Sequence, residues 1–303
     1  MNRYARQEIL PEIGAVGQAR LAAARVLVVG AGGLGSTVLP LLAGAGVGRI
    51  DIVDPDHVEE SNLHRQTLFR MSDLGRSKAE AAAQSLSALN PDGRFIAHVT
   101  RLDPGNAPDL MAQADVIVDA ADSFATSYAL SDLCLAVERP LISASVLARQ
   151  GYVGGFCGGA PSLRAVFPDL PSRLGSCSDI GVMGPVVAML GALQAQMALS
   201  VLLGLKPSPL GQLLSLDLAQ WHVSGFRFDG APEPDVVPEI LAPAHISPED
   251  LVIDLRGRAT ADPQPTPGQR VVFVCTSGLR AWRAAKRCAA LGHHRVAIVG
   301  DGM

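Results

Sequence analysis

Val26-Leu27-Val28-Val29-Gly30-Ala31-Gly32-Gly33-Leu34-Gly35 runs an apolar, strand-forming segment straight into a glycine-rich turn, and the helical pattern Ser36–Ala45 follows. That order builds a strand, a tight turn and a helix N-terminus able to hold a phosphate. Gly30 permits the turn, Gly32 lets backbone approach a ligand, and Gly35 allows the helix to pack closely on the strand. The helix N-terminus adds unpaired N–H groups and a partial positive charge. Alone, the fingerprint indicates a nucleotide and leaves open which one.

The 303 residues are 48% hydrophobic, enough to bury one large core and a second small one. A formal net charge of −4 provides no basic field for nucleic acid. The first twenty residues carry Arg3, Arg6, Glu8 and Glu12 and no apolar core of signal-peptide type. Ile180–Leu205 is the most apolar long stretch. It is interrupted by Gly181, Pro185, Gln194 and Gln196, and reads as a buried helix rather than a membrane span. The five cysteines (134, 157, 177, 275 and 288) contain no Cys-x-x-Cys pair, so reduced thiols in a cytoplasmic protein are expected.

Strand-like runs at 25–29, 49–53, 94–99, 116–119 and 140–143 alternate with helix-like segments at 34–45, 78–89, 107–113 and 124–137. Such alternation implies crossover units, and hence a mostly parallel sheet with helices on both faces. Later strands are expected at 151–157, 212–216 and 221–226, the last two as a hairpin, with a long apolar helix over 182–203 before them. Prolines 232, 234, 238, 243 and 248 mark 229–248 as a linker without regular structure. Beyond it, strands at 251–256, 270–274 and 295–299 and a helix at 279–291 form a second small α/β unit, 249–303.

The second strand ends in Asp54, where an acid in a dinucleotide fold hydrogen-bonds ribose hydroxyls. Ser61-Asn62-Leu63-His64-Arg65-Gln66 then supplies a planar guanidinium fork and an amide, both suited to phosphate oxygens. Gly75-Arg76-Ser77-Lys78 opens a helix with a lysine in its first turn, unfavourable to the helix dipole and so suggestive of a phosphate partner. Asp119-Ala120-Ala121-Asp122-Ser123 follows the fourth strand, at the carboxyl end of the sheet where open α/β sheets bind ligands. Asp122 is either a Mg²⁺ ligand or the cap of the helix beginning near Phe124, or both.

Arg3-Tyr4-Ala5-Arg6-Gln7, the glycine turn, Asp54-x-Asp56, Ser61-Asn62-Leu63-x-Arg65-Gln66, Gly75-x-x-Lys78 and Asp122, in this order and spacing over residues 1–228, resemble the ThiF/MoeB/HesA family, bacterial relatives of ubiquitin-activating enzymes. The resemblance implies a Rossmann-like, doubly wound sheet with late antiparallel strands. It also implies an ATP- and Mg²⁺-dependent adenylyltransferase that activates the C-terminal glycine of a small ubiquitin-like sulfur carrier ending in Gly-Gly, in thiamine or molybdopterin synthesis. By the same resemblance, Gly30, Gly32, Gly33 and Gly35 cradle the nucleotide and Asp54 holds the ribose. Asn62, Arg65 and Lys78 hold the phosphates, and Asp122 holds Mg²⁺. Arg6 would reach the ATP of a partner subunit, which implies a homodimer.

The chain departs from the family pattern in three places. Ser162 and Ala165 stand where many members carry a Cys-x-x-Cys pair, and no second pair follows near 225–235, so no structural zinc is expected. Ser123 replaces the usual asparagine after the Mg²⁺ aspartate. The region before Ser176-Cys177-Ser178-Asp179 looks shortened. Cys177 matches a cysteine that in some relatives links covalently to the carrier and in others is dispensable. Cys134 lies at helical spacing among Leu130, Leu133 and Val137, as core packing, and Cys157 and Cys288 read as structural.

In the tail, Val274-Cys275-Thr276-Ser277-Gly278-Leu279-Arg280 resembles the rhodanese active loop, in which helix N-terminal N–H groups stabilise a thiolate or persulfide. The two strands are only about 15 residues apart, so the rhodanese-like unit is trimmed. Cys275 is either a sulfur carrier, loaded by a partner such as a cysteine desulfurase, or a remnant. Two readings compete with the enzyme: a non-catalytic carrier-binding scaffold, and an NAD(P)-linked oxidoreductase that leaves Asn62, Arg65 and Lys78 without a purpose.

Overall fold

Helices α1 (Ala5–Glu8) and α2 (Gly14–Ala23) precede the crossover series β1 (Arg25–Val29), α3 (Gly35–Ala45), β2 (Arg49–Val53), α4 (Lys78–Leu89), β3 (Arg94–His98), α5 (Ala107–Met111), β4 (Val116–Asp119), α6 (Phe124–Ala136) and β5 (Leu141–Leu147). The structure is a computed structural model and describes residues 3–169, 180–235, 237–257 and 263–300. The five strands run parallel in the order β3-β2-β1-β4-β5. Chain order reverses between β1 and β4, which opens a crevice beyond their carboxyl ends. From Val26 onward β1 is buried on both faces, the pattern of a parallel strand covered by helices on each side.

β5 is longer than its sequence suggests because it also begins an antiparallel meander. It pairs with β6 (Gln150–Phe156) over seven residues. After the short α7 (Leu163–Val166) and the long α8 (Gly184–Leu203), the sheet is completed by β7 (Gln212–Asp217) and β8 (His222–Arg227). The last two strands form the expected antiparallel hairpin. Among the described residues α8 is long and apolar enough to cross a membrane, with a mean hydropathy of 1.9. Its buried residues Val186, Val187, Leu190, Ala195 and Ala198 lie in the main core. The buried Gln194 amide donates to the backbone oxygens of Asp119 (2.7 Å) and Ile142 (3.3 Å).

The C-terminal portion holds β9 (Glu239–Ile240), β10 (Leu251–Asp254), β11 (Val271–Cys275), α9 (Leu279–Ala290) and β12 (Val296–Gly300), with a parallel sheet ordered β10-β11-β12-β9. Here the structure corrects one sequence expectation. The proline-marked stretch 229–248 contains β9, which pairs Ile240 with Ile298, while the Leu241 N–H donates to Ile298 O. Two residues fit between Pro238 and Pro243 because an edge strand this short needs few backbone donors.

The tail shares its core with the first sheet. Val271, Phe273, Trp282 and Ile298 belong to the apolar cluster that contains Leu27, Ile117 and Leu130. The Trp282 ring lies 5.6 Å from that of Tyr128. The Arg164 guanidinium sits 4.9 Å from both ring centroids and is held by a two-point ion pair with Asp132. Two ring faces beside one desolvated, paired arginine give cation–π attraction a strong setting.

Candidate functional site

Three loops meet at the carboxyl edge of β1, β2 and β4. The Gly30 N–H donates to Val53 O, the Ala120 N–H to Val29 O and the Asp54 N–H to His98 O, so each turn is hung on its neighbouring strand. Gly30 has φ +100°, and a Cβ there would stand 2.5 Å from Ala120 O. A Cβ on Gly35 would stand 2.1 Å from Gly30 O. Side chains are therefore excluded from the base of the turn by backbone, its own and that of the β4–α6 connection. At Gly32, by contrast, a Cβ would meet only Gln66 Nε2 at 3.8 Å, leaving its backbone open to a ligand. Gly33 packs against Val187 of α8 on one side and the Arg65 stem on the other.

Asp54 is buried under this turn. Its Oδ2 accepts the Ala31 N–H (2.7 Å) and its Oδ1 the Asp56 N–H (2.8 Å). Burial pushes the carboxyl up, against the pull of those two N–H groups. Asp54 thus ties the glycine turn to the end of β2 while keeping lone pairs for one more donor.

The Ser61–Gln66 segment folds over the turn. Arg65 rests its stem near Gly33, and its Nη1 donates to Ser61 O (3.3 Å) and lies 2.8 Å from His64 Nε2. Asn62 is half-buried on the same segment and donates to Ser61 Oγ (3.3 Å). Gln66 is buried behind it, and its Oε1 has no partner among the described residues. In the sequence, the Arg-Gln pair is the only signal for Gln66.

Lys78 opens α4 behind the N-cap Ser77, whose Oγ accepts the Glu80 N–H. The Lys78 ammonium stands 3.0 Å from Asp56 Oδ2, with the lysine side chain 8% exposed and the aspartate 60%. Asp56 offsets the cation at the positive end of the helix and keeps it aimed at the loop edge. This pairing was invisible in the sequence, where Asp56 was no more than the second acid of a motif.

Asp122 is exposed at the tip of the β4–α6 connection. The alternative that it caps α6 is corrected: Ser123 is the N-cap, with its Oγ accepting the Thr126 N–H. Below it, Asp119 is fully buried and accepts from Ser143 Oγ (2.7 Å) and the Ala121 N–H (3.2 Å), with Ser127 as a further donor. Burial pushes this carboxyl up to about 6. A raised carboxyl binds its proton more tightly folded than unfolded, so this contribution to stability is lost as pH rises from the unfolded value near 3.8 through about 6. Asp119→Asn removes the titration. The stability advantage of the wild type over the variant is expected to shrink by about 2–3 kcal/mol between pH 4 and pH 7, measured by urea unfolding at each pH.

Other singled-out residues lie apart from this edge. Arg6 is exposed on α1 and makes no hydrogen bond or ion pair among the described residues. Its neighbours anchor the helix: Gln7 donates to Gln18 and to Ala45 O, and Asn90 donates to Tyr4 Oη. Ala45 ends α3, the helix that starts at Gly35 of the turn, so it lies roughly 15 Å away at the usual helical rise. Cys177 lies outside the described residues. Cys275 is buried at the end of β11, its Sγ accepting the Ala281 N–H at 3.3 Å. Cys134, Cys157 and Cys288 are buried free thiols whose burial raises their pKa, the condition of inert packing. Ser162 caps α7 and binds Glu233 through both its N–H (2.7 Å) and its hydroxyl (2.5 Å). A hydroxyl, the Ala165 methyl and one carboxylate do not make a tetrahedral zinc site.

The model of the ThiF family matches residues 4–236. The chain belongs to the ThiF family. Among similar proteins, "Adenylyltransferase and sulfurtransferase uba4" of Aspergillus niger is 44% identical over 211 residues, covering 66% of this chain and 44% of that protein. "Adenylyltransferase and sulfurtransferase MOCS3" of Bos taurus is 46% identical over 220 residues, covering 72% of this chain and 48% of that protein. The chain spans about half the length of the curated relatives it matches. Its fold is that of the crystal structures of E. coli MccB, one free (TM-score 0.68, 22% identity, 78% of this chain and 74% of that one) and one with ATP (TM-score 0.66, 23% identity, 76% and 72%).

Proposed function

We propose that this ThiF-family chain is an ATP-dependent adenylyltransferase acting on the C-terminal glycine of a small ubiquitin-like sulfur carrier, and that it works in the cytoplasm as a homodimer. The observation that carries the reading is the convergence of an open Gly32 backbone, the Arg65 stem resting near Gly33, and Asp54 tied to Ala31 on one sheet edge. The names of the relatives support the reaction class, and "MccB + ATP" among the similar structures supports the nucleotide.

In this reading Asp54 accepts ribose hydroxyls, and the turn's backbone and the α3 N-terminus receive phosphate oxygens. Arg65, Asn62 and Lys78 neutralise the charge that grows on the phosphates as a carrier carboxylate oxygen attacks the α-phosphorus and pyrophosphate departs. Lys78 serves by moving from Asp56 to phosphate. The exposed Asp122 carboxylate suits Mg²⁺, which supplies further charge neutralisation when bound. Arg6 sits at the far end of α3 from its own glycine turn, so it fits the ATP of a second subunit rather than its own. Sulfur loading at Cys275 from a cysteine desulfurase belongs to the same proposal. The Ala281 N–H would stabilise a sulfur anion there, and loading requires the buried loop to lift.

ATP–pyrophosphate exchange by the purified protein, dependent on a carrier ending in Gly-Gly, tests the function. No exchange with any such carrier, in a protein that binds ATP, would leave it a scaffold. Metal analysis is expected to find less than stoichiometric zinc, since Ser162 and Glu233 close by hydrogen bonds the place a zinc clip would occupy. Tightly bound zinc at one per chain would refute that assignment.

A further inference from the structure

We propose that the C-terminal sheet is a positioning element for Asp122, clamping the first turn of α6 and so setting where that carboxylate stands in the nucleotide site. The proposal rests on the function above. Asp122 lies between two anchors. On the β4 side, the Ala120 N–H is bonded to Val29 O and the Ala121 N–H to Asp119 Oδ1. On the other side Ser123 caps α6, so the position of that helix's first turn fixes the far end of the loop.

The tail holds this first turn. Ala125, two residues past the cap, is buried against two glycines from separate tail segments. A Cβ on Gly278 would stand 2.9 Å from the Ala125 Cβ, and one on Gly300 only 2.3 Å from it. Gly278 has φ +80°, so its turn alone accounts for a glycine. Gly300 ends strand β12 with no left-handed backbone, and its missing side chain is explained by the Ala125 methyl. Phe124 and Tyr128 complete the contact with Ile240, Trp282 and Ile298 around a cavity of about 10 Å³, and a second cavity of about 40 Å³ lies beside Ala125, Ile240 and Gly300 on the side of Arg101–Pro104. The tight contacts of this seam are those of Ala125 with Gly300 and Gly278, which leave no room for a methyl and so transmit displacement instead of absorbing it. Moving β12 or the Gly278 loop moves Ala125, and with it Ser123 and Asp122.

The test uses the full chain and isothermal titration with ATP, in Mg²⁺ and in EDTA. Gly300→Ala forces its new methyl against Ala125, and is expected to raise the Kd for Mg·ATP about tenfold, leaving the Kd for metal-free ATP unchanged. Adding Ala125→Gly to the same chain makes room for the methyl and should restore Mg·ATP binding, a rescue that general destabilisation would not give. A folded Gly300→Ala protein with wild-type Mg·ATP affinity overturns the proposal. If that variant does not fold, Ile240→Ala loosens the same seam without adding an atom: a selective loss of Mg·ATP affinity supports positioning, and unchanged affinity overturns it. A wild type that binds no ATP in either condition removes the adenylation reading itself. One that binds ATP while both seam variants bind equally well removes only the positioning role.

Discussion

Replacing Arg65 with alanine is expected to lower ATP–pyrophosphate exchange about a thousandfold, with thermal stability nearly unchanged. The kinetic expectation comes from what the guanidinium can do. A fixed planar fork beside a glycine cradle stabilises charge that develops only in the transition state, and loss of one such donor or arginine lowers rates by about 10²–10⁵-fold. The stability expectation comes from what it holds. Among the described residues its hydrogen bonds reach no further than Ser61 and His64 on its own segment, so truncation is expected to shift stability by under about 1 kcal/mol. Arg65→Lys keeps the charge but loses the fork, and should recover only a small part of the rate. Exchange at wild-type rates in Arg65→Ala, with wild-type ATP affinity, would remove the residue from the mechanism.

Much of the fold was legible because its signals are local. Runs such as Arg25–Val29, Arg49–Val53 and Val116–Asp119 are bounded by turns and rich in Val and Ile, and they fold over those residues. Lys78–Leu89 begins behind a serine cap and forms over the expected span. What was not legible depends on partners distant in sequence. Glu239–Ile240 becomes a strand only because β12, nearly sixty residues later, offers it an edge. Trp282 reads as part of one amphipathic stripe with Ala281, Ala285 and Cys288, but nothing in that stripe names Tyr128 and Arg164 as what it covers.

The site divides the same way. The residue types at the sheet edge could be read from motif spacing: the glycine turn, Asp54 and Asp122 follow strands, Lys78 opens a helix, and Asn62 and Arg65 lie in the connection after β2. The arrangement among them could not. Asp56 as the lysine's companion, Ser123 rather than Asp122 as the helix cap, and Glu233 closing on Ser162 are choices between neighbours of similar chemistry. Side-chain geometry decides each of them, and one-dimensional spacing carries no such information. The tail shows the limit most clearly: its strand and helix pattern marks a second small α/β unit, and nothing in that pattern says that Gly278 and Gly300 pack on α6.

Gly35→Ala should be strongly damaging for a single methyl, and its outcome separates two opposing effects of known sign. Gly35 begins α3 with ordinary helical backbone, where alanine is favoured over glycine by about 1 kcal/mol. Against this, the new Cβ would stand 2.1 Å from Gly30 O and 2.9 Å from Gly30 C, backbone atoms that cannot rotate away. Overpacking of well-filled sites destabilises by about 1–3 kcal/mol even where side chains can yield. Here the turn itself must move, so a net loss of about 3 kcal/mol is expected, with ATP binding abolished in the fraction that folds. Gly44, exposed near the other end of the same helix, is the control. A Cβ there meets nothing within 4 Å, so Gly44→Ala should stabilise by about 0.5–1 kcal/mol and leave ATP binding alone. Urea unfolding and ATP titration of both variants decide the matter. If Gly35→Ala were as stable as Gly44→Ala, the close approach of α3 to the Gly30 turn would not be what makes this cradle.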